Sequence, residues 1–256
     1  MQDDLRRAFA RWGLPQALRV DNGQPWGSDD GLPPEVACWV IGLGVAMVWN
    51  PPYRPQCNGV VERSQGVGKA WTEPWAATDA VNLQHRLDDF DRIQREAYPQ
   101  GPNHLPRMAL HPSLNQVLRP YQAAVEPETW QLQRVLDHLA GYVVRRKIDP
   151  QGKFRVYNNQ RHVGRERAGS YVWVTLDPNE RRWVAADDAG REFRRFDATE
   201  VTADAVRGLS MCYRTEGRPA PITGPVLQDR PAADHASPPM PLSDAVSPAL
   251  AARGQT

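Results

Sequence analysis

The sequence has few cysteines and no long apolar stretch. Cys38, Cys57 and Cys212 lie far apart and form neither a CxxC pair nor a Cys/His cluster with zinc spacing. That spacing argues against structural zinc and a disulfide framework, and it is typical of a reducing compartment. The longest apolar candidate, residues 36–48, falls short of the ~18 residues that a membrane span requires. We therefore expect a cytoplasmic protein with no membrane partner.

The sequence also lacks a strong charge of one sign, since 31 Lys and Arg face 30 Asp and Glu. The basic residues are nevertheless concentrated, with eight between positions 141 and 167 against two acids. Such a cluster is either a solvated face or a surface that binds the DNA backbone. The candidates for DNA binding are Arg145, Arg146, Lys147, Lys153 and Arg155.

Apolar periodicity predicts helices that pack on a sheet in the first part of the chain. A helix ending near Gly13 places Leu5, Phe9 and Trp12 on one face, and a short strand covers 17–20. A helix over 32–43 and a buried strand over 45–49 follow. This order of alternating helix and strand indicates an α/β fold.

The rest of the chain divides into a helical part and a β-rich part. The pattern predicts further helices from about residue 58, over 80–97 and over 127–140. Short β-rich runs separated by turn sequences follow from Gly141 and predict a small antiparallel barrel or sandwich. Five aromatic residues are expected in the barrel core rather than stacked on bases: Tyr142, Phe154, Tyr157, Trp173 and Trp183.

Two short segments carry candidate catalytic acids. In VDNGQPWGS a strand ends at Asp21 and turns at once through Asn22 and Gly23, both suited to tight turns. In PPYRPQCNGVVER a proline-rich loop leads to Asn58 and Gly59, where Asn58 is a good N-cap and Glu62 falls in the first helical turn. Each acid alone has an ordinary explanation, a solvated loop for Asp21 and the helix dipole for Glu62.

Together the two segments and their spacing resemble the DDE-type integrases and transposases, specifically the retroviral-type integrase catalytic core of insertion sequences. The resemblance implies a partial ribonuclease-H-like core over 1–75. It makes Asp21 and Glu62 the second and third carboxylates of a triad that binds two Mg²⁺ (or Mn²⁺) ions. Lys69, two helical turns after Glu62 on the same face, is either a phosphate contact or a solvated lysine.

The first carboxylate of such a triad is expected several tens of residues upstream of Asp21. Asp3 and Asp4 open an amphipathic helix and are expected to be solvated. We therefore expect a C-terminal fragment of a longer integrase that is inactive alone. Its predicted parts are the partial core, a helical extension over 76–140, an SH3-like barrel over 141–214 and a disordered tail over 215–256.

The expected function is DNA integration or transposition by metal-dependent strand transfer, as part of a DDE integrase. The expected partner is double-stranded DNA, both element ends and target, with self-association in the complete enzyme. The small barrel resembles the one that follows the catalytic core in Mu-like transposases, and we expect it to bind DNA. The alternative is a catalytically dead, DNA-binding remnant of a transposase.

Overall fold

The computed structural model describes residues 1–28, 30–52, 54, 56, 59–99 and 103–212. Over these ranges the protein is a mixed α/β structure with eight α-helices and three sheets. No helix within them is long and apolar enough to cross a membrane. The predicted tail at 215–256 and Asn58 lie outside the described residues.

The first four elements confirm the predicted order of helix and strand. They are α1 (Gln2–Trp12), β1 (Ala17–Val20), α2 (Glu35–Gly42) and β2 (Ala46–Trp49). β1 and β2 pair in parallel, from Ala17 opposite Ala46 to Val20 opposite Trp49. A parallel pair needs a crossover, and α2 supplies it. Every residue of α2 after Glu35 is buried, so this helix is the centre of the α/β part.

Two predictions about the α/β part are only partly confirmed. The strand predicted as buried is covered on one face, because Met47 is buried whereas Val48 is 37% exposed. On α1, Phe9 is buried as predicted, but Trp12 is 44% exposed. The Arg95 guanidinium lies 4.3 Å from the Trp12 ring centroid. Trp12 therefore contributes a surface cation–π contact rather than core packing.

The middle of the chain is mostly helical, as predicted, and one predicted helix is divided in two. It holds α3 (Gly59–Thr72), α4 (Ala80–Glu96), α5 (Arg107–Leu110), α6 (Glu126–Thr129) and α7 (Leu132–Ala140). The single helix predicted over 127–140 is wrong, because α6 and α7 are separated at Trp130 and Gln131. Trp130 Nε1 donates to the Trp39 carbonyl at 2.9 Å, and Gln131 N donates to the Gly42 carbonyl at 3.0 Å. Contacts with α2 thus override local helix propensity.

The β-rich part contains six strands and a short final helix. They are β3 (Val144–Lys147), β4 (Lys153–Val156), β5 (Asn159–His162), β6 (Tyr171–Asp177), β7 (Arg182–Ala186), β8 (Glu192–Asp197) and α8 (Ala203–Arg207). One antiparallel sheet has the order β3-β6-β7-β8, and β4 and β5 form a separate hairpin. Strand pairing among the described residues does not close these sheets into a barrel.

The β-rich part shares its core with α2 and α7. The buried Tyr157 hydroxyl donates to the Pro33 carbonyl at 2.8 Å, just before α2. Val135 and Leu139 of α7 are fully buried in the same apolar cluster as Val174 of β6. Because these parts exclude water together, the experiments proposed below use the whole chain.

A buried carboxylate joins three separate parts of the chain. Glu126 is 1% exposed and accepts hydrogen bonds from Arg6 Nε at 2.9 Å and Arg6 Nη2 at 2.8 Å. Trp39 Nε1 donates to it at 3.0 Å, and the Tyr121 hydroxyl donates as well. Both carboxylate oxygens are therefore satisfied, as a buried charge requires. This Glu126 network ties α1, α2 and α6 together.

The Glu126 network predicts a loss of stability in acid. Burial raises the pKa of Glu126, but the hydrogen bonds from Arg6, Tyr121 and Trp39 outweigh it and lower the pKa from 4.5 to about 2. A carboxyl group whose pKa is lower in the folded than in the unfolded protein stabilises the fold at pH values above its ordinary pKa. This contribution is lost as pH falls toward about 2. Urea unfolding between pH 6 and 2 measures the loss.

Tyr121→Phe provides the comparison for the acid series. It removes one donor, so the pKa of Glu126 rises toward its ordinary value and less stability depends on its ionisation. The variant should be less stable at pH 6. Its acid loss should be smaller and should end at a higher pH, because the loss begins near the unfolded-state pKa of Glu126 in both proteins. Superimposable pH curves for the two proteins would rule out this role for the network.

Candidate functional site

The segment after β1 is a tightly wound loop around Gly23. The Gly23 backbone N–H donates to Asp21 Oδ1 at 3.1 Å. The Gly23 carbonyl accepts from Trp26 N at 2.9 Å and from Gly27 N at 2.8 Å. A Cβ at Gly27 would lie 1.8 Å from the Asn22 carbonyl oxygen, so this winding requires glycine at position 27. The loop holds Asp21 at the carboxyl end of β1, with its side chain exposed.

Asn50, directly after β2, connects the ends of the two parallel strands. Its backbone N–H donates to the Val20 carbonyl at 2.9 Å, and its Oδ1 accepts from Arg19 Nε at 2.7 Å. Its carbonyl accepts from Asn22 Nδ2 at 2.9 Å. The Asn22 side chain thus connects the loop after β1 to the end of β2. Asn50 is a site residue that sequence reasoning missed, because its role depends on β1 and β2 being neighbours.

A second contact holds the loop against β2. Trp49 Nε1 donates to the Trp26 carbonyl at 2.8 Å, and the Trp49 ring lies 6.2 Å from the ring of His138 on α7. Burial lowers the pKa of His138, which favours the neutral imidazole in this stack. The loop that carries Asp21 is therefore positioned from β2 and α7 as well as from β1.

Glu62 lies in the first turn of α3, as predicted, and is exposed. Residues 59–66 are all exposed, Gly59 among them, so the first two turns of α3 are not packed against the described parts of the protein. Lys69 is also exposed. Further along, a Cβ at Gly68 would lie 3.4 Å from Phe90 Cε1 of α4. That distance is an ordinary van der Waals contact, so the packing of α3 against α4 would also accept alanine at position 68.

The two acids have the right chemistry for a hard divalent cation, since Mg²⁺ prefers carboxylate oxygens. The number of ligands does not match a two-metal centre. Among the described residues, no group of three or more His, Cys, Asp or Glu side chains is arranged to hold a metal ion. Asp3 lies in the first turn of α1, where it forms a 3.2 Å ion pair with Arg6 and its side chain is 85% exposed, in accord with the solvated role predicted for it.

The predicted basic cluster divides between the two faces of β3. Arg145 and Lys147 are exposed, whereas Arg146 turns inward. Arg146 Nε donates to the Arg155 carbonyl at 3.0 Å, and its guanidinium also donates to the Asp30 carbonyl. Burial lowers the pKa of Arg146, although the Asp30 carboxylate opposes this. Arg146 therefore connects segments within the protein instead of facing solvent.

The other two basic candidates lie on β4 and differ in exposure. Arg155 is exposed, while Lys153 is half-buried. Lys153 Nζ lies 3.4 Å from Gln160 Oε1 across the hairpin. Phe154 and Val156 of the same strand point into the core. Of the five basic residues predicted to bind DNA, three are therefore exposed: Arg145, Lys147 and Arg155.

Two aromatic residues share the outer face of the β3-β6-β7-β8 sheet with Arg145 and Lys147. β6 buries Val172, Val174 and Leu176 and turns Tyr171 and Trp173 to the other side. In the β3–β6 register, Arg145 lies opposite Trp173 and Lys147 lies opposite Tyr171. Tyr171 is 40% exposed and Trp173 is half-buried. Phe154, Tyr157 and Trp183 are buried as predicted, whereas Tyr142 is half-buried and the core position predicted for Trp173 is wrong.

No protein-family model matches the sequence. Function must therefore be inferred from the strand-end loop with Asp21, from Glu62 on α3, and from the outer face of β3 and β6.

Proposed function

We propose that this chain is part of a DDE-type integrase, in which it binds DNA and contributes two carboxylates to a strand-transfer site. The observation that carries the proposal is the parallel pairing of β1 and β2 across α2. It places Asp21 at the carboxyl edge of a parallel sheet, where α/β proteins commonly bind ligands. Glu62 opens the next helix, α3, in the order that the DDE resemblance requires.

The proposal also assigns a fold to each part of the chain. The β1–α2–β2 unit is the second half of a ribonuclease-H-like core, in which further strands would extend the parallel pair. Isolated two-stranded sheets are only marginally stable, and parallel sheets are usually buried on both faces, which supports such an extension. The β3-β6-β7-β8 sheet with the β4–β5 hairpin would correspond to the small SH3-like barrel.

In the complete enzyme, Asp21 and Glu62 would hold Mg²⁺ or Mn²⁺, which supplies Lewis-acid activation at phosphorus. Asn22, Gly23 and Asn50 would keep the Asp21 carboxylate at the strand end. Lys69 would contact a phosphate. Self-association is proposed because joining two element ends to a target needs more than one copy of the site.

DNA binding is assigned to the three exposed cations Arg145, Lys147 and Arg155. Each lysine or arginine that neutralises a phosphate releases counterions, so affinity falls as salt rises. Three such contacts imply roughly a 40-fold loss of affinity between about 50 and 200 mM salt. Fluorescence anisotropy with a labelled 20-base-pair duplex of random sequence measures it.

Changing Arg145, Lys147 and Arg155 together to Glu should abolish duplex binding by the full-length chain. The matched control changes Arg7, Arg92 and Arg107 to Glu. These arginines are exposed on α1, α4 and α5, so the net charge changes equally. Loss of binding in the first variant alone supports the assignment. Equal affinity of the first variant and the unmodified chain would refute it.

A catalytically dead DNA-binding protein is the second candidate. It is the alternative that remains if the first carboxylate implied by the DDE resemblance is not supplied. Both candidates predict the same DNA affinity. They differ in strand transfer, which only the first candidate supports once the first carboxylate is supplied.

A further inference from the structure

The outer face of β3 and β6 carries a stacked arrangement of flat side chains. The Arg145 guanidinium carbon lies 3.8 Å from the centroid of the Tyr171 ring and 5.6 Å from that of Trp173. Residues two apart on a strand lie ~7 Å apart on the same face. The Arg145 guanidinium therefore lies near two aromatic rings on one face of the sheet, and Arg145, Tyr171 and Trp173 are here called the stacking face.

The stacking face is held in place by contacts beneath and beside it. Trp173 Nε1 donates to Asp188 Oδ1 at 2.9 Å, which fixes the orientation of the indole ring. Val172 and Val174, on either side of Trp173 along β6, are fully buried and anchor the strand.

Positive charge borders the aromatic rings. Lys147 is exposed and lies directly opposite Tyr171 in the sheet register. Arg145 is also exposed and lies against the Tyr171 ring. Aromatic rings interleaved with cations are the arrangement by which proteins bind unpaired bases: the rings stack on bases and the cations pair with phosphates.

We infer that the stacking face binds unpaired bases, so that the chain prefers DNA with a single-stranded tail over fully paired DNA. The inference rests on the proposed DNA binding by the same surface. A duplex hides the faces of its internal bases within its own stack, so it offers little to Tyr171 and Trp173. Bases in a short single-stranded tail at a DNA end are free to stack on them.

The experiment compares two labelled DNAs bound by the full-length chain. Both carry the same 20-base-pair duplex with a six-nucleotide 3′ tail, which is oligo(dT) in one and abasic in the other. The two tails have equal phosphate charge, so a difference in affinity measures contacts to the bases. The oligo(dT) tail should bind about tenfold more tightly. Equal affinities would overturn the inference.

Variants assign the effect to named rings. Tyr171→Thr combined with Trp173→Thr should bring the ratio of the two affinities close to one, whereas Tyr171→Phe should preserve it because stacking is retained. Trp75→Leu is the control. Trp75 is 75% exposed and lies between α3 and α4, outside β3 and β6, so its loss should leave the ratio unchanged. A ratio that persists in the double variant would place the base contacts elsewhere and overturn the inference.

Failure of the inference and failure of the proposed function are distinguishable. If the unmodified chain binds neither tailed nor blunt duplex, DNA binding itself is wrong. If it binds blunt duplex and both tailed DNAs with equal affinity, DNA binding stands and the stacking face does not take bases.

Discussion

Glu126→Gln is expected to lower the free energy of unfolding by about 3–5 kcal/mol, the usual cost of breaking a buried ion pair by removing one partner. The carboxylate accepts four hydrogen bonds, from Arg6, Trp39 and Tyr121. A glutamine amide has one acceptor oxygen, and its NH₂ group would face donors. The Arg6 guanidinium would then lack a counter-charge. Urea unfolding at pH 7, followed by circular dichroism, gives the difference directly.

Glu128→Gln is the matched control for this substitution. Glu128 lies on the same short helix and is exposed, so the control should change stability by less than about 0.5 kcal/mol. Combining Arg6→Met with Glu126→Leu should recover part of the loss, because both charges are then removed together. The Trp39 and Tyr121 donors would still lack their acceptor, so recovery should be incomplete. A cost below about 1 kcal/mol for Glu126→Gln would contradict the role of this network.

The second large effect concerns strand transfer. The 256-residue chain assayed alone is expected to give no product with Mg²⁺ or Mn²⁺, because two of the three carboxylates implied by the DDE resemblance match residues here. Joined to an integrase segment that supplies the first carboxylate, it should join labelled element ends to a target plasmid. Asp21→Asn or Glu62→Gln should then reduce product below detection, which a sequencing gel of the labelled strand records.

Asp3→Asn is the control for the acid residues in this assay. Its carboxylate is exposed and paired with Arg6, so transfer should be unchanged. Anisotropy should show duplex affinity within about twofold for Asp21→Asn and Glu62→Gln, since neither acid belongs to the basic surface. Transfer by the chain alone would mean that the first acid is present and was misplaced. Transfer that survives Glu62→Gln would overturn the integrase assignment.

Apolar pattern and turn chemistry were sufficient to predict most of the elements. β1 was predicted at 17–20 and is found at Ala17–Val20, because an apolar run there ends at an Asp-Asn-Gly turn. β5 was missed because Asn159–His162 are polar and alternate without an apolar face. The break between α6 and α7 was also missed, since it is imposed by hydrogen bonds to α2, which is distant in sequence.

The candidate site was predictable to a similar extent. Asp21 and Glu62 could be found because short motifs surround them. Asn50 could not, since its importance comes from a parallel register between segments about 30 residues apart. The face on which Arg146 and Trp173 lie depends on strand phase, and a shift of one residue exchanges inside for outside. The number of charged residues could therefore be read from the composition, but which of them are exposed to solvent could not.

The buried carboxylate of Glu126 also constrains how this sequence can diverge. Arg6 and Trp39 reach it from distant parts of the chain, and Tyr121 lies five residues before it. Glu200 has a similar environment, with hydrogen bonds from Trp183 and Arg161. A single replacement in either group leaves a buried polar atom or charge unmatched, so lineages that lose one member must lose its partners together. These positions should therefore change in concert during evolution, as linked sets of an acid with its arginine and aromatic partners.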